Sequence, residues 1–138
     1  CEPSMPDSKI LIVEDDPVSQ EYLQALLRPY GDCRLAANGR EALEAFQNAW
    51  HRAQPFELIC MDIMMPVMDG QTALKEIRRL ENAMGLVAKD RAVVIMTTAL
   101  EDAHNVDEAL YRGGASSYIL KPINADLLYE DLQRFGLI

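Results

Sequence analysis

Acidic residues follow two of the apolar runs in this chain. Glu14, Asp15 and Asp16 come directly after KILIV, and Asp62 comes directly after ELICM. Carboxylates gathered in one place repel each other unless a cation lies among them, and oxygen ligands with room for water suit Mg²⁺. A carboxylate can also act as a nucleophile and carry a phosphoryl group as an aspartyl phosphate. These residues predict a magnesium site beside an acceptor aspartate.

Two further apolar runs end in groups that could hold a phosphoryl group. Thr97 and Thr98 follow the fourth run, and Lys121-Pro122 follows the fifth. A metal ion, an ammonium and a hydroxyl could each hold one equatorial oxygen of the phosphoryl group as charge develops. Thr98 and Lys121 are the groups that could move to meet it. Thr97 is expected to face the core or a neighbouring helix.

The elements that must position these residues alternate along the chain. The predicted strands are Lys9–Val13, Cys33–Ala36, Glu57–Met61, Ala92–Met96 and Ser117–Leu120. Several are apolar at successive residues, which is typical of parallel strands covered on both faces. Five βα units in a row predict a doubly wound α/β domain with right-handed crossovers and helices on both faces of the sheet. Ligands of such sheets bind at the carboxyl ends of the strands, where the residues above would meet.

The stretches between the strands have apolar residues at the three- and four-residue spacing of a helix. In the first helix, Val18, Tyr22, Ala25 and Leu26 are expected to face the core. Val106, Ala109 and Leu110 indicate a helix before the fifth strand. The residues expected to cap helix N-termini are Asp16, Asn38, Asp69 and Asn124.

Length and charge limit the classes of function. A chain of 138 residues fits one domain, predicted over residues 9–138 after a flexible tail over residues 1–8. The formal net charge of −9 disfavours direct binding to nucleic acid. No apolar run is long enough for a membrane span, and three cysteines without a zinc-site spacing favour a reducing, cytoplasmic compartment.

Four motifs, in order, resemble the receiver domain of two-component response regulators, the family of the bacterial chemotaxis regulator. ILIVEDDP at residues 10–17 is similar to the acidic end of that family's first strand, and CMDIMMPVMDG at residues 60–70 to its phospho-acceptor segment. MTTA at residues 96–99 and YILKP at residues 118–122 resemble its switch segments. The similarity extends from about Lys9 to Phe135. It implies a flavodoxin-like sheet with strand order 2-1-3-4-5.

The resemblance implies a role for each residue of the predicted site. Asp62 would be the phospho-acceptor. Asp15 would bind Mg²⁺ together with Asp62 and the backbone carbonyl of Met64, and Glu14 would assist through water. The phosphoryl group would be held by Thr98 and Lys121.

The resemblance also implies a switch and partners. Tyr118 would be the aromatic residue that turns inward on activation, and Lys121-Pro122 would be a cis peptide bond. The phosphoryl donor would be a sensor histidine kinase or a phosphotransfer protein. A downstream protein would bind the surface formed by the fifth strand and the helices on either side of it in sequence. A phosphorylation-dependent homodimer through this surface is left open.

Several alternatives stay open from the sequence. Glu14 and Asp15 could be helix-start acids, and Tyr118 could be plain sheet packing. The chain could be free-standing, which its FGLI ending favours, or a receiver from a hybrid kinase or larger regulator. A haloacid-dehalogenase-type phosphatase would need a second aspartate two residues after Asp62, where Met64 stands. A receiver-like scaffold without phosphorylation is the remaining alternative.

Two apolar residues flank the predicted site where other members of the family often carry polar ones. They are Met64, two residues after Asp62, and Leu100, two residues after Thr98. A polar group there could orient the water that attacks the aspartyl phosphate. We therefore expect the phosphoryl group on Asp62 to hydrolyse slowly without help.

Overall fold

The apolar segments form one parallel sheet. The structure, a computed structural model, describes residues 9–65, 67–99 and 114–138. The strands are β1 (Lys9–Val13), β2 (Asp32–Ala36), β3 (Leu58–Asp62), β4 (Val93–Thr98) and β5 (Ser117–Leu120). They lie in the order 2-1-3-4-5, and every neighbouring pair is parallel. The predicted fold class and strand order are confirmed, and the carboxyl ends of all five strands share one edge.

Helices connect the strands and begin at the predicted caps. They are α1 (Pro17–Leu27), α2 (Gly39–His51), α3 (Gly70–Ala83) and α4 (Ala125–Arg134). The side chains that cap them by accepting hydrogen bonds from backbone amides are those of Asp16, Asn38, Asp69 and Asn124. The tail over residues 1–8 and the helix predicted around Val106, Ala109 and Leu110 lie outside the described residues.

The core has two layers because the strands are covered on both faces. Alternate residues of a strand point to opposite faces, so Leu11 and Val13 contact one cluster while Ile10 and Ile12 contact the other. The first cluster lies between the sheet and helices α2 and α3. The second lies between the sheet and helices α1 and α4. Both layers support the edge at which the strands end.

The buried face of α1 differs from the prediction. Leu23 and Leu27 enter the second cluster and the predicted Leu26 packs against it, whereas Val18 and Tyr22 are exposed. A shift of one residue rotates the face by about 100°, and both sets of residues follow the helical spacing. The sequence pattern therefore could not distinguish the two faces. Val18 and Tyr22 instead line a cavity together with Lys121 and Pro122.

Two strands extend further than their apolar runs. The prediction ended the third and fourth strands at Met61 and Met96, but the pairing of Asp62 with Thr97, and of Thr98 with Leu120, continues the ladder. Backbone hydrogen bonds do not depend on side-chain polarity, so a ladder can include polar residues at its end. As a result, Asp62 and both threonines lie on strands rather than on loops.

A buried charged pair fastens α3 to the sheet. Glu81 is fully buried, and its carboxylate accepts hydrogen bonds from the guanidinium of Arg78 at 2.7 Å and from the amide of Ala92 at 2.9 Å. Arg78 also donates to the carbonyls of Ala92 and Gly114, each at 2.9 Å. The pair thus joins α3 to the start of β4 and to the segment that enters β5.

The described cysteines are free thiols. Cys60 is buried in β3, and burial raises the pKa of its thiol to about 12. Cys33 on β2 is half-buried. In the described part of the chain, none of the helices has the length and apolar character needed to cross a bilayer.

Candidate functional site

A lysine ammonium joins two carboxylates at the carboxyl edge of the sheet. Lys121 follows β5 directly, and its Nζ lies 2.8 Å from Oε1 of Glu14 and 3.0 Å from Oδ2 of Asp62. Burial lowers the pKa of Lys121, but the hydrogen bonds to Glu14 and Asp62 outweigh this effect, so the pKa is raised. The ammonium therefore stays charged between the two acids.

Both the side chain and the backbone carbonyl of Glu14 accept hydrogen bonds. Its side chain is buried, and Oε2 accepts a hydrogen bond from the amide of Asp16 at 3.2 Å. The side-chain amide of Gln20 donates to the Glu14 carbonyl at 2.6 Å. Burial raises the pKa of the Glu14 carboxyl, and Lys121 counteracts only part of that rise. The sequence predicted Glu14 as an acid near a metal, and the structure adds that it is the direct partner of Lys121.

Three acidic residues offer oxygen atoms to a common point. One carboxylate oxygen from each of Glu14, Asp15 and Asp62 lies within 4.8 Å of the others. Asp15 is exposed, while the other two are buried, so the group opens to solvent on one side. Asp16 points away and caps α1 by accepting hydrogen bonds from the amide and hydroxyl of Ser19. These bonds lower the pKa of Asp16.

The segment after Asp62 is folded back tightly over the end of β3. Asp62 Oδ1 accepts a hydrogen bond from the amide of Met64 at 3.2 Å, and the amide of Gly70 donates to the carbonyl of Ile63 at 2.8 Å. A Cβ at Gly70 would lie 2.1 Å from the carbonyl oxygen of Asp62. Only glycine permits this close approach, so Gly70 is part of what positions Asp62.

The predicted switch residues lie on neighbouring strands, with Thr98 at the carboxyl end of β4 and Tyr118 within β5. Thr98 is buried, and its hydroxyl donates to the carbonyl of Ala99 at 3.2 Å. Tyr118 is on β5 and is 40% exposed. The Lys121-Pro122 peptide bond is cis, as the resemblance implied. The structure thus brings Glu14, Asp15, Asp62 and Lys121 together. The hydroxyl of Thr98 instead forms a hydrogen bond with the backbone of the next residue.

Several residues that support this site were not predicted from the sequence to do so. Gln20 binds the backbone of Glu14, and the hydroxyl of Tyr22 donates to the carbonyl of Ile123 at 3.0 Å. The second contact holds the segment that follows Lys121 against α1. The sequence pattern predicted that Tyr22 faces the core, so it gave no signal for this hydrogen bond. The sequence predicted no role in the site for Gly70, which follows the predicted cap Asp69.

The arrangement of strands, acids and lysine agrees with the family similarity. The sequence matches the family described as response regulator receiver domain over residues 10–133. This chain belongs to that family. It is therefore a receiver domain of two-component signalling, and the family that the sequence motifs predicted is confirmed.

Curated relatives match this chain over only part of their own length. The transcriptional regulatory protein ZraR of Escherichia coli is 38% identical over 126 residues, which are 91% of this chain and 25% of ZraR. The osmosensing histidine protein kinase SLN1 of Saccharomyces cerevisiae is 32% identical over 129 residues, which are 92% of this chain and 10% of SLN1. The chain thus spans about a quarter or less of the length of these relatives.

Solved structures share the fold. One contains the receiver domain of the S. cerevisiae response regulator Ssk1 with the phosphotransfer protein Ypd1; it is 31% identical with a TM-score of 0.79 and covers 96% of this chain and 90% of that chain. Another is the receiver domain of the Pseudomonas aeruginosa sensor kinase PA1611, with a magnesium ion in its active site cleft. It is 33% identical with a TM-score of 0.76 and covers 94% of this chain and 98% of that chain.

Proposed function

We propose that this receiver domain accepts a phosphoryl group on Asp62 and changes its partner-binding surface in response. The observation that supports this best is the contact between Lys121 Nζ and Asp62 Oδ2 at 3.0 Å. A charged ammonium beside the acceptor oxygen would stabilise the negative charge that a phosphoryl group brings.

The chemistry needs one bond to form and one to break. An Asp62 carboxylate oxygen attacks the phosphorus of the donor, and the bond from phosphorus to the donor's nitrogen or oxygen breaks. The electron pair stays with the leaving group; a departing imidazole, which carries a proton on its other ring nitrogen, then holds this pair as a nitrogen lone pair. Lys121 shifts its ammonium toward the phosphoryl oxygens, and Thr98 donates its hydroxyl to one of them.

The three carboxylates of Glu14, Asp15 and Asp62, called the acidic group below, fit Mg²⁺ because their ligand atoms are all oxygens. Oxygen ligands from Glu14, Asp15 and Asp62 converge, and the exposed side of Asp15 leaves room for the waters that Mg²⁺ retains. We propose that Asp15 and Asp62 would bind the ion directly, with the Met64 carbonyl, and that Glu14 would act through water. When bound, Mg²⁺ would neutralise charge on the phosphoryl oxygens.

The phosphoryl signal would reach the protein surface through β4 and β5. The carbonyl of Thr98 accepts a hydrogen bond from the amide of Lys121 at 2.7 Å. The two residues proposed to contact the phosphoryl group are therefore also linked by a backbone hydrogen bond. Tyr118, partly exposed on the same strand, is proposed to turn inward when Thr98 moves. The surface around β5 would then bind a downstream protein or a second copy of the chain.

A histidine kinase or phosphotransfer protein is the proposed donor. The similarity to the Ssk1 receiver domain, which was crystallised with Ypd1, supports a phosphohistidine donor. Such a relay would operate in the cytoplasm. Transfer of label from a phosphorylated phosphotransfer protein to this chain, lost in Asp62→Asn, would test the donor class.

An enzyme acting on other substrates is not supported. A phosphatase with an aspartyl nucleophile would need a general acid two residues after Asp62, and Met64 offers no acidic group there. We propose that the chain catalyses only its own phosphorylation and dephosphorylation.

A titration with beryllofluoride and Mg²⁺, followed by NMR, tests the proposed switch. Beryllofluoride should bind at Asp62 and shift the amide signals of Thr98 and Tyr118 as well as those near Asp62. Asp62→Asn should abolish these shifts. Shifts confined to the immediate neighbours of Asp62 would contradict the switch while leaving phosphoryl acceptance intact.

A further inference from the structure

The hydroxyl of Thr97 is buried without a hydrogen-bond partner. Thr97 is 2% exposed, and its Oγ1 has no hydrogen-bond partner among the residues that the structure describes. Burying a polar group in this way costs free energy, and valine has nearly the same shape without the hydroxyl. An unpartnered hydroxyl next to an active site is therefore a candidate for a function in another state of the protein.

The strand register places Thr97 beside the acceptor. Thr97 pairs with Asp62 on β3 and with Ile119 on β5. Residues two positions apart on a strand share a face, so Thr97 shares the face of Ile95, which packs with Cys60 and Ile119 in the second core cluster. Asp62 shares the face of Cys60 by the same rule. The side chains of Thr97 and Asp62 thus start as neighbours on one face of the sheet.

Lys121 must cross β4 to reach its partners. β4 lies between β5 and β3, and β1 lies beyond β3. The ammonium of Lys121, which starts at the end of β5, contacts Asp62 on β3 and Glu14 after β1. The side chain of Lys121 therefore passes over the carboxyl end of β4, where Thr97 pairs with Asp62.

We propose that Thr97 is a positioning residue for Lys121, a role that depends on the proposed phosphorylation of Asp62. A lysine ammonium has three N–H donors, and two of them are donated here to Glu14 and Asp62. Phosphorylation removes the carboxylate charge of Asp62 and draws the ammonium toward the phosphoryl oxygens. In that state the hydroxyl of Thr97 accepts a hydrogen bond from the Lys121 ammonium and fixes its position above β4.

A pair of substitutions separates this role from packing. Thr97→Val keeps the shape and removes the hydroxyl, whereas Thr97→Ser keeps the hydroxyl and removes a methyl group. We expect Thr97→Val to melt no lower than the original protein but to take up a phosphoryl group from acetyl phosphate about tenfold more slowly, the scale of one hydrogen bond to a charged group. Thr97→Ser should retain the uptake rate within about twofold despite a lower melting temperature.

The control is the other unpartnered polar atom in the described part of the chain. Trp50 Nε1 is also buried without a partner, and Trp50 lines a cavity with Glu57 and Val93 near the opposite ends of the strands. Trp50→Phe should leave phosphoryl uptake unchanged. A rate loss in Trp50→Phe equal to that in Thr97→Val would mean that the rate reports general packing, which overturns the proposal.

NMR of the beryllofluoride form gives a readout that does not need a variant to fold. The Lys121 Hζ signal should become protected from exchange and show a nuclear Overhauser contact to the Thr97 side chain. Absence of this contact, or normal phosphoryl uptake by a folded Thr97→Val protein, would overturn the role of Thr97. Failure of the folded original protein to take up a phosphoryl group from either acetyl phosphate or a phosphorylated phosphotransfer protein would instead contradict the proposed function of Asp62.

Discussion

The ammonium of Lys121 lies 2.8 Å from the carboxylate of Glu14, a buried residue 107 positions earlier in the chain. The same nitrogen contacts Asp62, so one cation serves two acids from different strands. This bridge joins the first, third and fifth strands at the edge where the chemistry is proposed. A metal ion bound by Glu14, Asp15 and Asp62 would therefore lie close to the positive charge of Lys121.

Removing this cation should destabilise the domain in a way that Mg²⁺ can offset. Lys121→Met leaves Glu14 and Asp62 without their shared donor, and we expect the free energy of unfolding to fall by about 2 kcal/mol. Added Mg²⁺ should raise the melting temperature of this variant more than that of the original protein. Urea unfolding and calorimetry with and without Mg²⁺ measure both effects.

A matched control is Lys9→Met. Lys9 makes an exposed ion pair with Asp32 at 3.2 Å, which contributes about 0.5 kcal/mol or less. An equal loss of stability in Lys9→Met and Lys121→Met would show that the bridge has no special role.

Two adjacent acids should differ in their effect on Mg²⁺ binding. Asp15 belongs to the acidic group, whereas Asp16 caps α1. We expect Asp15→Asn to weaken Mg²⁺ binding by about tenfold or more. Asp16→Asn should keep both the cap and the affinity, because asparagine caps helices as well as aspartate does. Calorimetric titration gives the two affinities, and similar losses in both variants would refute the assignment of Asp15.

The buried pair on α3 should matter more than an exposed pair with the same spacing. Arg78→Met leaves the buried carboxylate of Glu81 without its cation and should cost about 3 kcal/mol of unfolding free energy. Arg79→Met breaks the exposed pair with Glu76 and should cost about 0.5 kcal/mol or less. Adding Glu81→Gln to Arg78→Met should recover part of the loss. Urea unfolding of the variants tests this order, and equal costs for Arg78→Met and Arg79→Met would contradict it.

The lifetime of the phosphoryl group should depend on the side chain at Met64. Met64 is largely exposed, and its amide already contacts Asp62. An asparagine there could orient an attacking water, so we expect Met64→Asn to speed hydrolysis by about tenfold. Leu100→Glu should act in the same direction, although Leu100 lies outside the described residues. The decay of the phosphorylated mass over time gives the rate.

Val67→Asn controls for a polar group elsewhere in the same segment. Val67 is exposed with a φ of 70°, a conformation that asparagine tolerates better than valine does. Its phosphoryl lifetime should match that of the original protein. A lifetime that is unchanged in both Met64→Asn and Leu100→Glu would disprove the expectation of slow hydrolysis caused by these apolar residues.

The sequence predicted the sheet well because local patterns determine strands and caps. Apolar runs located all five strands, and each of the four described helices begins at its predicted cap. The residues at the strand ends then had to meet, since a parallel sheet brings its carboxyl ends to one edge. For this reason Asp62, Glu14 and Lys121 could be placed together before any distance was known.

What the sequence could not predict depends on contacts between distant segments. The partner of Glu14 is Lys121. Nothing in the local sequence distinguishes this ion pair from the expected role of Glu14, which was to assist Mg²⁺ binding through water. The burial of Glu81 on α3 also follows from tertiary packing, because its carboxylate replaces a backbone partner for Ala92. The unpartnered hydroxyl of Thr97 is likewise visible only once its neighbours are placed.

The role of Asp62 as phosphoryl acceptor is tested most directly by the intact mass of the protein after incubation with acetyl phosphate and Mg²⁺, measured beside the Asp62→Asn variant. We predict one phosphoryl adduct on the original protein that requires Mg²⁺ and is absent from the Asp62→Asn variant. An adduct of equal yield on a folded Asp62→Asn variant, or none on the folded original protein with either acetyl phosphate or a phosphorylated phosphotransfer protein, would contradict the claim that Asp62 is the acceptor.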